Sequence, residues 1–222
     1  MSYGRNEKKI KSASPSRVYF KVSMDRCLDL VIMLLPFLIR FNSFFMSKNP
    51  WHEIETGKHA PEIVTGIVEI PQANRAKYEL DKETGMLMLD RVLHSPMSYP
   101  ANYGFIPKTY CDDGDPLDIL ILCQEKLVPM CLVNCKVIGV MHMVDGGEMD
   151  DKIIAVAADD PSVKHMNDLG DVPEYMLNEI RCFFEDYKKL EGKTVDVQDF
   201  KGKETALEVV KKSIEDYQKK FG

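Results

Sequence analysis

Short runs of apolar and β-branched residues recur between residues 60 and 160, and they predict strands. Turn-forming residues separate the runs, as where Pro71 follows the first run and the turn 81–85 joins the next two. The predicted strands cover residues 63–70, 77–80, 86–92, 119–123, 132–144 and 152–157. The fifth of these is long enough to be bent. Many short strands with Gly, Pro and Asp turns are typical of a β-barrel or β-sandwich.

The hydrophobic period changes from two to about 3.6 near the C-terminus, which predicts two amphipathic helices at residues 174–190 and 203–221. Pro173 suits the first turn of the earlier helix. The stripe of the earlier helix consists of Leu177, Ile180, Phe183, Phe184 and Tyr187, and that of the later helix of Ala206, Val209, Val210, Ile214 and Tyr217. We therefore expect an α+β fold, a small closed antiparallel-rich β-barrel (OB-like) with two C-terminal helices packed outside.

Residues 1–45 form an N-terminal extension that differs from the domain predicted at residues 46–222. The extension is basic at first and then apolar over residues 30–39, a run shorter than the roughly 20 residues that span a bilayer. No small-x-small cleavage site follows it. Three interpretations remain: a targeting or anchoring segment, a transit-type presequence, or an untranslated stretch upstream of a start at Met46. Membrane contact is expected only if the extension is retained.

The charge is unevenly distributed, since residues 1–50 carry nine Lys or Arg and three Asp or Glu, whereas residues 51–222 carry 20 and 32. A domain this acidic repels a nucleic-acid backbone, so we expect no nucleic-acid partner. The six cysteines include no C-x-x-C pair, which is typical of a reducing compartment. The core thus indicates the cytoplasm, while an organelle or membrane tether stays open through residues 1–45.

The most informative segment, residues 112–118, holds four carboxylates immediately before an apolar strand. Two carboxylates about 4 Å apart repel each other by roughly 1 kcal/mol in water and roughly 4 kcal/mol at an effective dielectric constant of 20. A cation would relieve this repulsion, and oxygen ligands without His or Cys favour Mg²⁺, Mn²⁺ or Ca²⁺. A solvated acidic turn is the simpler interpretation, but it does not require four acids.

A second acidic cluster occupies residues 145–151 between two predicted strands. Gly146 and Gly147 indicate a turn there, so Asp145 and Asp150 could approach each other across a hairpin. Alone, this cluster could be a polar hairpin tip. Two acidic turns at strand ends support a metal site more strongly together than either does alone.

The segment 113–118, Asp-Gly-Asp-Pro-Leu-Asp, resembles the D-x-D-P-x-D signature of family I soluble inorganic pyrophosphatases. Other segments of this chain are similar to motifs of that family in the same order. These segments are residues 69–71 with 77–79, 90–91, 99–104, 145 with 150–152, and 183–188. The resemblance begins near Trp51 and continues to the C-terminus.

The resemblance implies an inorganic diphosphatase that hydrolyses pyrophosphate to two phosphates with several Mg²⁺ ions per active site, for which Mn²⁺ is a possible substitute. It implies Asp115 and Tyr99 as catalytic residues, with Asp115 accepting a proton from, or orienting, the attacking water and Tyr99 as a proton donor. Implied substrate-binding residues are Lys77, Arg91, Tyr103, Lys152, Tyr187 and Lys188. Implied metal ligands are Asp113, Asp118 and Asp150, and Asp118 would bridge two ions. Asp145 would bind a further ion that arrives with the substrate. Glu69 and Glu79 would be outer acidic groups that help to hold metal.

Two other functions fit these residues less well. A non-catalytic metal- or phosphate-binding module would usually lack a ligand, and none is missing here. A nucleotide phosphatase or kinase-like enzyme is disfavoured because no G-x-x-x-x-G-K-[ST] loop occurs. A homo-oligomer is expected by analogy with the family.

Overall fold

The computed structural model describes residues 49–222. A short helix α1 (Pro50–Glu53) comes first, and the two long helices are α2 (Glu174–Asp186) and α3 (Lys203–Phe221). The strands are β1 (Ile63–Ile70), β2 (Ala76–Leu80), β3 (Leu87–Val92), β4 (Asn102–Phe105), β5 (Asp118–Leu122), β6 (Leu132–Asp145), β7 (Glu148–Met149), β8 (Lys152–Ala157) and β9 (Val195–Gly202). The fold is therefore a sheet-rich structure followed by helices, as the sequence predicts.

Five strands of the main sheet pair with one another in a circuit. Strand β1 pairs with β4, β4 with β5, β5 with β8, and β8 with β6, which pairs back to β1. Only the pairing of β5 with β8 is parallel, and the others are antiparallel. The long strand β6 can join β1, β8 and β9 because its register shifts at residues 137–139 and 141–143 bend it.

Strands β5 and β8 are buried on both faces, which explains why their sequences are wholly apolar after the first residue. Side chains alternate along a strand, so Leu120 and Ile154 lie in a core cluster with α2. Ile119 and Ile153 lie in a second cluster with α3. Both helices therefore pack on the sheet through the apolar stripes that the sequence predicts.

The earlier helix is shorter than the sequence predicts. It ends at Asp186 rather than Leu190, and a separate 3₁₀ turn follows at Lys189–Glu191. Gly192 closes that turn with a left-handed backbone (φ 71°), which favours glycine because it lacks a Cβ atom. This early end frees Lys188 from the helix, and its side chain turns toward Asp145.

The predicted strands at 63–70 and 152–157 have the observed bounds, and the other four are displaced by a residue at one end or at both. Strands β4, β7 and β9 were not predicted. Strand β7 has two residues, and β4 has only four, one of which is Gly104. Strand β9 alternates weakly because Val197 is the one buried residue among its eight. The hairpin of β2 and β3 is confirmed as a separate two-stranded sheet.

Candidate active site

A cavity of about 470 Å³ lies at the end of the sheet where β5 and β8 begin. Every residue that the sequence predicts for the site lines it: Glu69, Lys77, Glu79, Arg91, Tyr99, Tyr103, Asp113, Asp115, Asp118, Asp145, Asp150, Lys152, Tyr187 and Lys188. Residues from distant parts of the chain thus meet in one place. The fold brings together all of the predicted set.

The parallel pairing of β5 and β8 sets the centre of the cavity. Asp118 and Lys152 are the first residues of their strands and lie opposite each other in the register. The ammonium group of Lys152 forms ion pairs with the carboxylates of both Asp118 and Asp150. Lys152 is only 3% exposed, and although burial acts to lower its pKa, the two carboxylates raise it above its ordinary value. The buried lysine is therefore charged.

A second ion pair joins Lys188, beyond the end of α2, to Asp145 at the end of β6. Burial raises the pKa of Asp150, Lys152 opposes that rise, and Asp118 and Asp145 reinforce it. The carboxylates of Asp118 and Asp145 therefore lie close enough to Asp150 to act on its charge. The two acidic turns predicted from the sequence therefore do converge.

Tyrosine side chains form one wall of the cavity. The hydroxyl group of Tyr103 donates a hydrogen bond to Oδ2 of Asp118 at 2.6 Å. The ring of Tyr99 packs at 5.3 Å from the Tyr103 ring and at 4.7 Å from Phe183, and the ring of Tyr187 packs at 5.1 Å from Phe183. Burial is the main cause that raises the pKa of all three tyrosines above the ordinary value. Their hydroxyl groups remain protonated at neutral pH.

The hairpin of β2 and β3 supplies cations to the opposite wall. Lys77 pairs with Glu79 and lies 3.3 Å from Asp90, which also contacts Arg91. Arg91 Nε donates to Glu191 Oε1 at 3.0 Å. Burial acts to lower the pKa of Arg91, and the neighbouring carboxylates Glu191 and Asp90 raise it. Register places Lys77 directly opposite Arg91, so the hairpin fixes two cations side by side.

Glu69 is the most deeply buried acid in the described part of the chain, at 7% exposure. Its Oε1 accepts a hydrogen bond from the backbone nitrogen of Leu80 at 2.7 Å. Burial, with the charge of Asp118 as a second cause, raises the pKa of Glu69 to about 8. Glu79, by contrast, is half exposed and lies at the rim.

The loop before β5 carries Asp113 and Asp115. Oδ1 of Asp113 accepts from the backbone nitrogen of Asp115 at 3.0 Å, and Gly114 between them has a left-handed backbone (φ 85°). This bend lets both carboxylates face the cavity. Burial raises the pKa of Asp113, and the charges of Asp115 and Asp118 reinforce the rise.

Some lining residues were not predicted. Lys82 lines the cavity and pairs with Asp115, and Glu191 pairs with the lining residue Arg91. The cavity lining also includes Asp90, Lys193 and Trp51. Lys82 lies in the turn between β2 and β3, and its sequence context is an ordinary polar turn. Asp90 could have been found from its neighbour Arg91. Glu191 lies beyond the predicted helix and carried no signal.

The donor chemistry of the cavity fits divalent cations that prefer oxygen. Six aspartates and two glutamates line one cavity, and the pKa values of Asp113, Asp150 and Glu69 are all raised, mainly by burial and further by neighbouring carboxylates. Within residues 49–222 no three acidic, His or Cys side chains already converge as a metal cage. Ammonium groups of Lys152 and Lys188 neutralise the carboxylates instead. Oxygen-only ligands of this kind favour Mg²⁺ or Mn²⁺ over zinc.

A cavity that combines clustered carboxylates with six Lys and Arg side chains defines an enzyme site for a small phosphorylated anion. The family model for inorganic pyrophosphatase matches residues 66–218. The chain therefore belongs to the inorganic pyrophosphatase family. The predicted enzyme class, an inorganic diphosphatase, is confirmed at this level.

Individual relatives agree with the family match. The chain is 53% identical over 175 residues to soluble inorganic pyrophosphatase 2 of Chlamydomonas reinhardtii, covering 79% of this chain and 91% of that protein. It is 44% identical over 205 residues to soluble inorganic pyrophosphatase 4 of Arabidopsis thaliana, covering 92% of this chain and 95% of that protein. The second match is long enough to extend into residues before Ser47, which lie outside the described part of the structure.

The fold is also similar to a solved structure. The crystal structure of inorganic pyrophosphatase from Thermus thermophilus has a TM-score of 0.75 and 41% sequence identity, and the match covers 77% of this chain and 99% of that chain. Residues 1–45, for which the sequence leaves three interpretations, lie outside the described residues. Between residues 49 and 222, no helix is both long and apolar enough to cross a membrane.

Proposed function

We propose that the enzyme hydrolyses inorganic pyrophosphate to two phosphates in a Mg²⁺-dependent reaction in the cavity at the end of the sheet where β5 and β8 begin. The observation that carries this proposal is the pairing of Lys152 with Asp118 and Asp150 and of Lys188 with Asp145. Each of these pairs joins a cation that can bind a phosphoryl group to a carboxylate that can bind a metal ion. The site is thus complementary to a metal–pyrophosphate complex.

Asp113, Asp118 and Asp150 would hold the activating metal ions, with Asp118 between two of them, and Asp145 would hold an ion that arrives with the substrate. When bound, such ions lower the pKa of a coordinated water and neutralise phosphoryl charge. Glu69 and Glu79 would support the metal ions from further out. Burial, together with neighbouring carboxylates, raises the pKa values of Asp113 and Asp150, and this supports the assignment because a bound cation would offset both effects.

Asp115 would accept a proton from, or orient, the water that attacks one phosphorus atom. Its carboxylate lines the cavity and is half exposed, so it can reach a water molecule there. Attack breaks the bond between that phosphorus and the bridging oxygen, and the second phosphate leaves. Tyr99 is assigned as the proton donor; its raised pKa means that its hydroxyl group is protonated and can donate a hydrogen bond at neutral pH.

Pyrophosphate carries a high negative charge, and the remaining residues would hold it. Lys77 and Arg91 approach from the hairpin, while Lys152 and Lys188 approach from the opposite wall. Tyr103 and Tyr187 would add hydrogen bonds from protonated hydroxyl groups. Fixed cations of this kind stabilise charge that develops on the leaving phosphate.

Phosphate release from Mg²⁺–pyrophosphate by the purified full-length chain tests the proposal. We expect release from the wild-type protein and a near-complete loss in Asp118→Ala. Asp199→Ala, which removes an exposed aspartate paired with Lys201 away from the cavity, should retain the wild-type rate. Equal rates for Asp118→Ala and the wild-type protein would contradict the site assignment. Faster hydrolysis of a nucleoside triphosphate than of pyrophosphate would contradict the substrate.

Broader features of the protein follow as proposals. We propose that the pairing circuit of β1, β4, β5, β8 and β6 is a closed OB-like barrel, which the return of β6 to β1 supports. A cytoplasmic location and a homo-oligomer are proposed from the sequence and the family. Residues 1–45 are proposed as an extension to the domain at 46–222, whether targeting, tethering or untranslated.

A further inference from the structure

The turn between β2 and β3 carries Lys82 to the rim of the cavity. The Lys82 ammonium group pairs with the carboxylate of Asp115 and donates to the backbone oxygen of Gly114 at 3.3 Å. One lysine therefore contacts two successive residues of the loop that precedes β5. The segment 81–86 itself is closed by backbone hydrogen bonds, from Gly85 to Asp81 and from Asp81 to Met86, both 2.8 Å.

Residues at the N-terminal end of the described domain also contact this turn. Nδ2 of Asn49 donates to the backbone oxygen of Lys82 at 2.8 Å. The Lys82 ammonium group lies 5.9 Å from the centre of the Trp51 ring, within the range of a cation–π contact. Asn49, which precedes α1, thus holds the main chain of Lys82, and Trp51, which lies within α1, holds its side chain.

Trp51 is firmly anchored. It is 3% exposed, its Nε1 donates to the backbone oxygen of Thr109 at 2.8 Å, and its ring stacks on Tyr110 and meets the edge of Phe221. The indole is therefore a rigid surface against which a lysine side chain can rest. Rigid support of this kind is what a residue needs if it is to position another side chain.

Asp115 has little else to fix its side chain. Its side chain is half exposed, and the hydrogen bonds that Asp115 makes within its own loop come from its backbone nitrogen and oxygen. A half-exposed carboxylate samples several rotamers in solution, whereas a catalytic group must be held close to one geometry. Lys82 supplies the missing constraint from a different element of the fold.

We propose that Lys82 is a positioning residue that holds the carboxylate of Asp115 in its working orientation, with Asn49 and Trp51 fixing Lys82. This inference rests on the proposed function, in which Asp115 handles the attacking water. Lys82 differs from Lys152 and Lys188, whose partners are assigned as metal ligands, because its own partner is the aspartate assigned to proton handling. Its loss should therefore affect turnover more than substrate affinity.

Steady-state kinetics of Lys82→Met, Lys82→Arg and the control Lys201→Met test the inference. Lys201 is an exposed lysine that also pairs with an aspartate, but it lies outside the cavity. We expect Lys82→Met to lower kcat by about tenfold to a hundredfold, the size of effect that a small misplacement of a catalytic group causes, with little change in KM. Arginine can pair with a carboxylate, so Lys82→Arg should recover most of the lost turnover. The control should match the wild-type enzyme.

A raised KM with unchanged kcat in Lys82→Met would overturn the inference, because it would make Lys82 a substrate contact. Unchanged kcat and KM would overturn it as well. Failure of the proposed function would instead appear in the wild-type assay, as an absence of phosphate release.

Fluorescence gives a second readout that does not depend on activity. Trp51 is the only tryptophan of the chain, so the emission spectrum reports its surroundings alone. Removal of the nearby ammonium group in Lys82→Met should shift or change the intensity of that emission, whereas Lys201→Met should leave it unchanged. An emission spectrum identical in the wild-type protein and Lys82→Met would contradict the contact between Lys82 and Trp51 on which the inference depends.

Discussion

Tyr103 donates a hydrogen bond from its hydroxyl group to Oδ2 of Asp118, with 2.6 Å between the oxygen atoms. The two residues belong to neighbouring strands, and Tyr103 lies in the sheet opposite Leu120, two residues beyond Asp118. Asp118 also pairs with Lys152. The aspartate proposed to bridge two metal ions is thus held by a tyrosine on one side and a lysine on the other.

Tyr103→Phe should lower kcat/KM without unfolding the protein. A hydrogen bond to a charged group contributes about 1.5–3 kcal/mol, which corresponds to roughly a tenfold to a hundredfold loss of rate if the bond persists in the transition state. The ring should keep its packing against Tyr99, 5.3 Å away. Phosphate-release kinetics measure the effect. Tyr175→Phe, at an exposed position of α2, serves as the control, and an equal loss in both variants would contradict the prediction.

Lys152→Met should destabilise the metal-free protein. The substitution removes the buried cation that neutralises Asp118 and Asp150, and loss of one partner from such an arrangement costs about 3 kcal/mol. Bound Mg²⁺ would replace the missing charge, so its addition should recover part of the loss. Urea unfolding with chelator and with Mg²⁺ measures both effects. If Mg²⁺ stabilises Lys152→Met no more than it stabilises the wild-type protein, the carboxylates do not take up a cation there.

Glu69 should make the metal-free protein less stable as the pH rises. Burial, followed by the charge of Asp118, raises its pKa from 4.5 to about 8 on folding. The folded state therefore binds the proton more tightly, and this contribution to stability is full below pH 4.5 and is lost as the pH rises through 8. The slope from one such group is at most about 1.4 kcal/mol per pH unit.

Glu69→Gln should remove that slope, because glutamine cannot ionise and its side-chain oxygen can still accept from the Leu80 nitrogen. The free energy of unfolding, measured in urea with chelator at several pH values, should fall more steeply with pH in the wild-type protein than in the variant. Parallel curves for the two proteins would show that Glu69 keeps an ordinary pKa in the folded state.

Gly104→Ala should disrupt the pairing of β1 with β4. A Cβ atom at this position would lie 1.8 Å from the backbone oxygen of Ile67, and neither backbone can yield without breaking the sheet register. We expect a loss of about 3 kcal/mol in the free energy of unfolding. Gly170→Ala is the matched control, since no atom lies within 4 Å of a Cβ atom there. A similar small change in both variants would contradict the prediction.

The sequence predicts most strands and both long helices because their patterns are local. The apolar runs 119–123 and 153–157 predict buried strands, but no local pattern shows that the two strands pair in parallel, with Asp118 and Lys152 separated by 34 positions in the sequence. That pairing aligns Asp118 with Lys152, and it depends on the whole sheet. The residues that line the cavity were nevertheless predictable, because the resemblance to the family assigns short motifs from distant segments of the chain to one site.

Residues whose role depends on tertiary contacts alone were missed. Lys82 belongs to a polar turn, and only the approach of the loop at Asp115 gives it a partner in the site. Glu191 was placed beyond a helix whose end was predicted four residues too late, so its contact with Arg91 could not be foreseen. Strand β9 has few buried residues, and its pairing with β6 compensates for a weak hydrophobic pattern.

The central claim is that the aspartates of one cavity hold the metal ions on which pyrophosphate hydrolysis depends. Phosphate release by the wild-type enzyme, measured before and after removal of divalent metal and again after Mg²⁺ is restored, tests this claim most directly. We expect hydrolysis to stop on metal removal and to return with Mg²⁺. Hydrolysis that continues at the original rate in thoroughly metal-free protein and buffer would contradict the claim.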